Sequence, residues 1–168
     1  LRSIRKQLKA EHKIGKKERG YRLQVRNKYI YNDLVRLGLT PRKSKIVKFP
    51  RIPKRYFSHF IRGLFDGDGS VMVWRERRWR HPWQIRVSFT SGSPCFLKDL
   101  KKNLHSAIWL LDGKISPVTR GYHLRYLSIA ECIALYKFMF LGKPSLYLRR
   151  KRYKFERFLL LKKAEKLR

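Results

Sequence analysis

The sequence predicts an α+β fold built from αββαββα units, and three observations carry that expectation. The chain matches itself in two stretches, short segments alternate apolar and polar side chains, and helical runs stand between them. LRSIRKQL at 1–8 parallels LKDLKKNL at 97–104, and HKIGKKERGYRLQV at 12–25 parallels DGKISPVTRGYHLRY at 112–126. After each RGY strand comes a helical run, NDLVRLGL in one copy and ECIALYKFMF in the other. Each copy then closes on a basic patch, PRKSK at 41–45 and RRKRYK at 149–154.

In chain order, segment 1–10 reads as an amphipathic helix with Leu1, Ile4 and Leu8 on one face. Segment 21–26 alternates, with Tyr21, Leu23 and Val25 against Arg22, Gln24 and Arg26. Helix 29–37 ends at Gly38, a residue suited to the left-handed cap. A Pro-bearing stretch follows over 41–53, and Pro53 suits the start of the next helix. Strand 83–90 sets Trp83, Ile85, Val87 and Phe89 against Gln84, Arg86, Ser88 and Thr90; strand 122–127 sets Tyr122, Leu124 and Tyr126 against His123, Arg125 and Leu127. The tail from Arg149 to Arg168 reads as a basic helix packed through Tyr153, Phe155, Phe158 and Leu159 to Leu161.

The second copy is preceded by the helix FIRGLFDGDGS at 60–70 and two strands, whereas the first begins at Leu1. Roughly 40 residues that the repeat calls for are expected upstream. The organisation expected is a partial first repeat over 1–48, a linker over 49–56 and a complete repeat over 57–168.

With 43 Lys plus Arg against 11 Asp plus Glu, the net charge of +32 demands a polyanionic partner. Nucleic acid fits best, because the cations are interleaved with aromatic and aliphatic residues along the whole chain. A membrane partner is not expected, since no apolar run approaches the roughly 20 residues of a bilayer span. Cys95 and Cys132 lie apart, outside any CxxC or Cys/His cluster, which argues against structural zinc and for free thiols in an intracellular setting, whether cytoplasm, nucleoid or organelle. The polar strand faces are written in Arg, Gln, Ser, Thr and His, which hydrogen-bond base edges and phosphates; an ordinary solvated face would be written in Lys and Glu.

In the helix at 57–65, Phe60, Ile61 and Leu64 are expected to face a partner helix, with Gly63 allowing close backbone approach. Asp66, Gly67, Asp68 and Gly69 then read as a turn whose oxygens suit a hard divalent cation. An EF-hand loop is excluded because its closing bidentate Glu would fall on Arg77.

IRGLFDGDG at 61–69 resembles the LAGLIDADG motif of homing endonucleases, as do the flanking IPKRYFSHF, the strand bearing FTSGS and the LGLTPRKS stretch. The resemblance implies a curved antiparallel sheet saddling the major groove of double-stranded DNA, paired motif helices, and Mg²⁺, or another cation such as Mn²⁺, at the scissile phosphates. It would make Asp68 the catalytic carboxylate and metal ligand, with the Gly67 carbonyl beside it, and give Asp66 a structural role at the helix end. It also implies a nearby basic residue, for which Lys151 is taken, with Arg149 and Arg150 as alternatives and Lys43 as the repeat equivalent. Arg62 occupies a motif position that is usually small, and is expected to face solvent or a phosphate. Only one motif is present, so a homodimer or the missing half-repeat would be needed for paired cuts. The other expectation is a weak or inactive relative that binds DNA or RNA, such as an intron maturase on intron RNA; a basic ribosome-associated protein is a third class.

Overall fold

The computed structural model describes residues 1–40, 43–79 and 82–166, without the side chains of residues 43 and 166. Lys43 as a basic site residue and the last two tail residues therefore lie outside what is described. The chain divides into two compact units, Leu1–Thr40 and Pro41–Arg168.

The first unit contains α1 (Arg2–Gln7), the antiparallel strands β1 (Ile14–Lys17) and β2 (Gly20–Leu23), and α2 (Lys28–Arg36). Asn27 caps α2 by accepting the Ile30 N–H, and Gly38 (φ 83°) terminates it in the left-handed conformation as expected. The strand expected over 21–26 is shorter, so Gln24 and Arg26 lie past its end, where the Arg26 N–H meets His12 Nε2.

In the second unit, α3 (Lys54–Asp68) leads into β3 (Gly69–Arg75) and β4 (Trp83–Ser91). Then come α4 (Pro94–Ile108), β5 (Lys114–Val118), β6 (Gly121–Tyr126), α5 (Ile129–Phe140) and α6 (Arg149–Lys166). The sheet is antiparallel throughout in the order β3-β4-β6-β5. Alternation drives its construction: Ile85, Val87, Phe89, Leu124 and Tyr126 are at most 1% exposed and meet Ile61, Phe65 and Leu100 from the covering helices. Val47, Phe49 and Ile52 pack on this same core. In α6, Phe155 and Phe158 are buried as expected, but Tyr153 and Leu160 are exposed, because the helix covers the core with one face only.

The self-match holds as structure. Ile14 pairs Leu23 and Lys17 pairs Gly20, just as Ile115 pairs Leu124 and Val118 pairs Gly121, and both hairpin glycines sit at φ 144°. The helix before each hairpin ends at a left-handed residue, Lys9 (φ 47°) and Trp109 (φ 57°). These landmarks align Ile4 with Leu104 and Leu8 with Ile108, one helical turn away from the match of 1–8 to 97–104. An apolar stripe recurring every turn lets a sequence alignment slip by that amount without changing face.

The two copies differ in burial. Leu104 is fully buried, whereas Ile4 is 39% exposed and no residue of 1–40 is buried. A Cβ on Gly121 would meet the Ser91 carbonyl oxygen at 2.7 Å, because β4 pairs with β6. Nothing stands within 4 Å of the same point on Gly20, and β2 has no second partner strand among the described residues.

Candidate metal centre and nucleic-acid interface

Helix α3 continues through Asp66, Gly67 and Asp68 and passes into β3 at Gly69 without a loop, which corrects the expected DGDG turn. The junction needs glycine: a Cβ at Gly69 would lie 2.4 Å from Phe65 Cδ2 and 2.6 Å from the Phe65 carbonyl oxygen. Asp68 and Gly67 are exposed, and a Cβ at Gly67 would meet nothing within 4 Å. Since Gly69 pairs with Phe89, Asp68 stands one residue before the paired region of the sheet.

The end of α3 is held by a reciprocal clasp with α6. Lys151 Nζ donates to the carbonyl oxygens of Phe65 (2.6 Å), Asp66 (2.9 Å) and Gly69 (2.5 Å), so its three protons each meet a carbonyl where the helix passes into the strand; that of Phe65 also accepts the Gly69 N–H. In return Asp66 Oδ2 accepts the Leu148 N–H (2.9 Å) at the start of α6. Burial raises the Asp66 carboxyl from its ordinary value, opposed by that N–H and by Lys151, Arg62 and Arg150. Burial, then Arg150, pulls the Lys151 ammonium down, against the carboxylates of Asp66 and Asp68. The expectation of Lys151 as a catalytic group thus meets a correction: the ammonium is buried and its donors are engaged. Arg149 and Arg150 are exposed, and Arg150 is close enough to act on both clasp members.

Arg62 also departs from expectation. It is 7% exposed and binds Met139 O and Leu146 O, each at 3.0 Å, with His59 Nδ1 2.6 Å away. A guanidinium can be buried there because backbone acceptors between α5 and α6 satisfy it.

The motif helix turns its largest side chains inward. Ile61 is fully buried in its own core with Phe57 and Phe65, which corrects its assignment to a partner surface; Phe60 and Leu64 are half-buried against that core, and Phe60 meets Phe49 edge-on at 5.4 Å. The open stripe holds Tyr56, His59, Gly63 and Gly67, and nothing lies within 4 Å of a Cβ built on Gly63.

Across the solvent face of the sheet, register aligns Ser70, Ser88, Arg125 and Lys114 in one row, and Thr90, His123 and Ser116 in another. Arg86 stands opposite Met72, with its Nη2 3.4 Å from Sδ. Arg86, His123 and Arg125 are partly exposed as a contact face requires, and Arg125 Nη2 lies 3.2 Å from His123 Nδ1. Burial, then the Arg125 and Arg86 charges, holds the His123 imidazole below its usual value. Gln84 (7% exposed) and Ser88 (4%) are corrections, because this part of the face is covered and the Ser88 hydroxyl pairs with Ser70 Oγ at 2.7 Å. Lys114 and Ser116 were missed because Pro117 breaks the strand signature of β5. Arg22, Gln24 and Arg26 in the first unit are all exposed.

Among the described residues no group of three or more His, Cys, Asp and Glu converges to hold a metal. The donors around Asp68 still fit a hard cation: an exposed carboxylate beside an open glycine backbone suits Mg²⁺, which takes one or two carboxylates and completes its shell with water and substrate phosphates. No helix among the described residues is long and apolar enough to cross a membrane.

A stretch of 83 residues, 47% of this chain, is 35% identical to a probable translation initiation factor IF-2 of Thermococcus kodakarensis; it spans 6% of that protein's length. Among solved structures the chain is similar to the LAGLIDADG meganuclease I-AabMI bound to uncleaved DNA, at 20% identity and a TM-score of 0.46, covering 66% of this chain and 36% of that one. It is also similar to the homing endonuclease I-TnaI, at 16% identity and a TM-score of 0.45, covering 65% and 74%. Neither likeness reaches a score that bears weight. The sequence of the motif helix, the β3–β4 hairpin and most of α4 gives the firmer result, matching the family model of the LAGLIDADG-like domain over residues 57–107. That match spans under a third of the chain, from the motif helix to the end of α4.

Proposed function

We propose that this chain is part of a site-specific DNA endonuclease of the homing type, with Asp68 as its metal-binding carboxylate. The observation that carries this reading is the placing of Asp68, exposed at the end of a helix whose terminus is clasped, beside a sheet face bearing Arg86, Arg125, His123 and Lys114. The cations would seat the phosphate backbone, and Arg86 and Arg125 also suit guanine edges. A divalent cation held by Asp68 and the Gly67 carbonyl would supply water activation and leaving-oxygen stabilisation in phosphodiester hydrolysis. Asp66 and Lys151 hold the helix end in place rather than contact the substrate.

Paired cuts need a second motif carboxylate. The open stripe of Tyr56, His59, Gly63 and Gly67 suits a second motif helix, either of a second copy or of an upstream half-repeat. The first unit favours the half-repeat, since its α1 face and β2 edge are uncovered where the second unit has α3, β3 and β4.

The test is Mg²⁺-dependent cleavage of a plasmid library of randomised duplex sites, run beside Asp68→Asn. Sequence-selective cuts lost in Asp68→Asn support the reading, and nicks alone indicate one working half-site. The single exposed motif carboxylate favours a second reading, a relative that binds DNA or intron RNA without cutting. That reading is supported by absence of cleavage with equal, steeply salt-dependent binding in both proteins.

A further inference from the structure

Helix α4 covers the apolar side of the sheet, so its outer face looks away from the proposed duplex surface. Lys98, Lys101, Lys102 and His105 recur along that face at helical spacing. With Leu110 and Leu111 they line a groove of about 270 Å³. Asp99 is turned out of this stripe, toward a separate groove with Arg51 and Asn103.

At the groove's end stands Trp109, 78% exposed, with Leu111 64% exposed beside it. Trp109 occupies the left-handed conformation (φ 57°, ψ 39°), which is unfavourable for a bulky side chain. Lys9 holds the matching place in the first unit, so the turn itself does not demand an aromatic. The loop is nonetheless fixed: the Trp109 N–H donates to His105 O at 2.8 Å, and its ring meets the His105 ring edge-on at 5.7 Å. The carboxylate of buried Glu131 accepts the N–H groups of Leu111 (2.5 Å) and Asp112 (2.9 Å). An indole in the left-handed conformation, mostly exposed at the end of a cationic stripe and touching the fold through His105, is not required by the turn, and such an outlier points to function.

We propose that this face is a second nucleic-acid surface, one that binds a single strand, with the lysines on phosphates and the Trp109 indole stacked on a base. Duplex DNA buries its base faces and offers an exposed ring nothing to stack on, whereas an unpaired strand offers both groups at once. This surface does not depend on Asp68, so its failure and that of the cleavage reading are separable.

The experiment measures fluorescence anisotropy of labelled oligothymidylate and of a labelled duplex with the intact chain, with Trp109→Ala and with the double variant Lys98→Gln/Lys102→Gln. Trp109→Asn serves as a second substitution, because Asn tolerates the left-handed conformation and keeps the turn. Single-strand affinity is expected to fall about tenfold in each tryptophan variant, the order that loss of one base–aromatic stack gives, with duplex affinity within about twofold. The lysine pair should lower single-strand affinity and flatten its salt dependence. Equal losses on both probes, or unchanged single-strand affinity in Trp109→Asn, overturn the proposal. So does Trp109-dependent binding to phosphatidylserine vesicles without a matching effect on oligothymidylate.

Discussion

Replacing Lys151 by Met keeps an unbranched side chain, one atom shorter, while removing its charge and all three donors. Two of the carbonyls it serves, those of Phe65 and Gly69, are bonded in buried surroundings at 2.6 and 2.5 Å, and that of Phe65 keeps the Gly69 N–H when the lysine is gone. A buried acceptor stripped of its donor costs about 1–3 kcal/mol. Part is offset because the ammonium no longer has to be desolvated, the same burial that lowers its pKa. The expected net loss is about 1–3 kcal/mol, a sizeable part of the roughly 5–15 kcal/mol that holds a domain together. Urea unfolding followed by tryptophan fluorescence suits the measurement, since Trp74, Trp79, Trp83 and Trp109 all lie in the second unit. Lys151→Arg should also lose stability, because a planar fork cannot converge on three carbonyls around one nitrogen. A loss below about 1 kcal/mol in Lys151→Met would refute the clasp.

Arg62→Met strips the Met139 and Leu146 carbonyls and is expected to cost about 2–3 kcal/mol by the same urea measurement. Gly69→Ala drives a methyl into Phe65 backbone and ring atoms, so a loss of about 1–3 kcal/mol is expected, read as a lowered melting temperature. His123, held low by burial and by Arg125 and Arg86, takes up a proton when a phosphate on the sheet face offsets those charges. Duplex affinity is therefore highest below both the free and bound pKa values and falls as pH rises through the bound one. His123→Gln should flatten that profile between about pH 5 and 8, and an unchanged slope would remove His123 from the contact face.

The alternation in β4 and β6 was legible in sequence because period-two patterning writes burial directly, and Gly38 was legible as a cap because φ 83° favours glycine. The helix registers of the repeat were not, since an apolar stripe is invariant to a one-turn slip and only Lys9 and Trp109 fix it. The clasp was hidden for a different reason. Its partners stand far apart in the chain, and nothing local to RRKRYK distinguishes a lysine that caps a distant helix from the cations beside it. Arg62 read as a solvent group because the acceptors that permit its burial are backbone atoms of Met139 and Leu146, which carry no sequence signature. Lys114 and Ser116 escaped because β5 is short and contains Pro117.

The separation in the clasp has a consequence for how the protein is made. The lysine that closes the end of α3 lies 82 residues beyond Gly69. On the ribosome, the motif helix and the strands of the described residues emerge before it, so the end of the helix waits for its lysine. A product that stops short of Leu148 would carry the whole motif and the cationic sheet yet leave Asp68 on a fraying terminus. Under the proposed function, chains that stop there would hold DNA without cutting it, and competence to break a strand would arrive only after the motif and the sheet are already made.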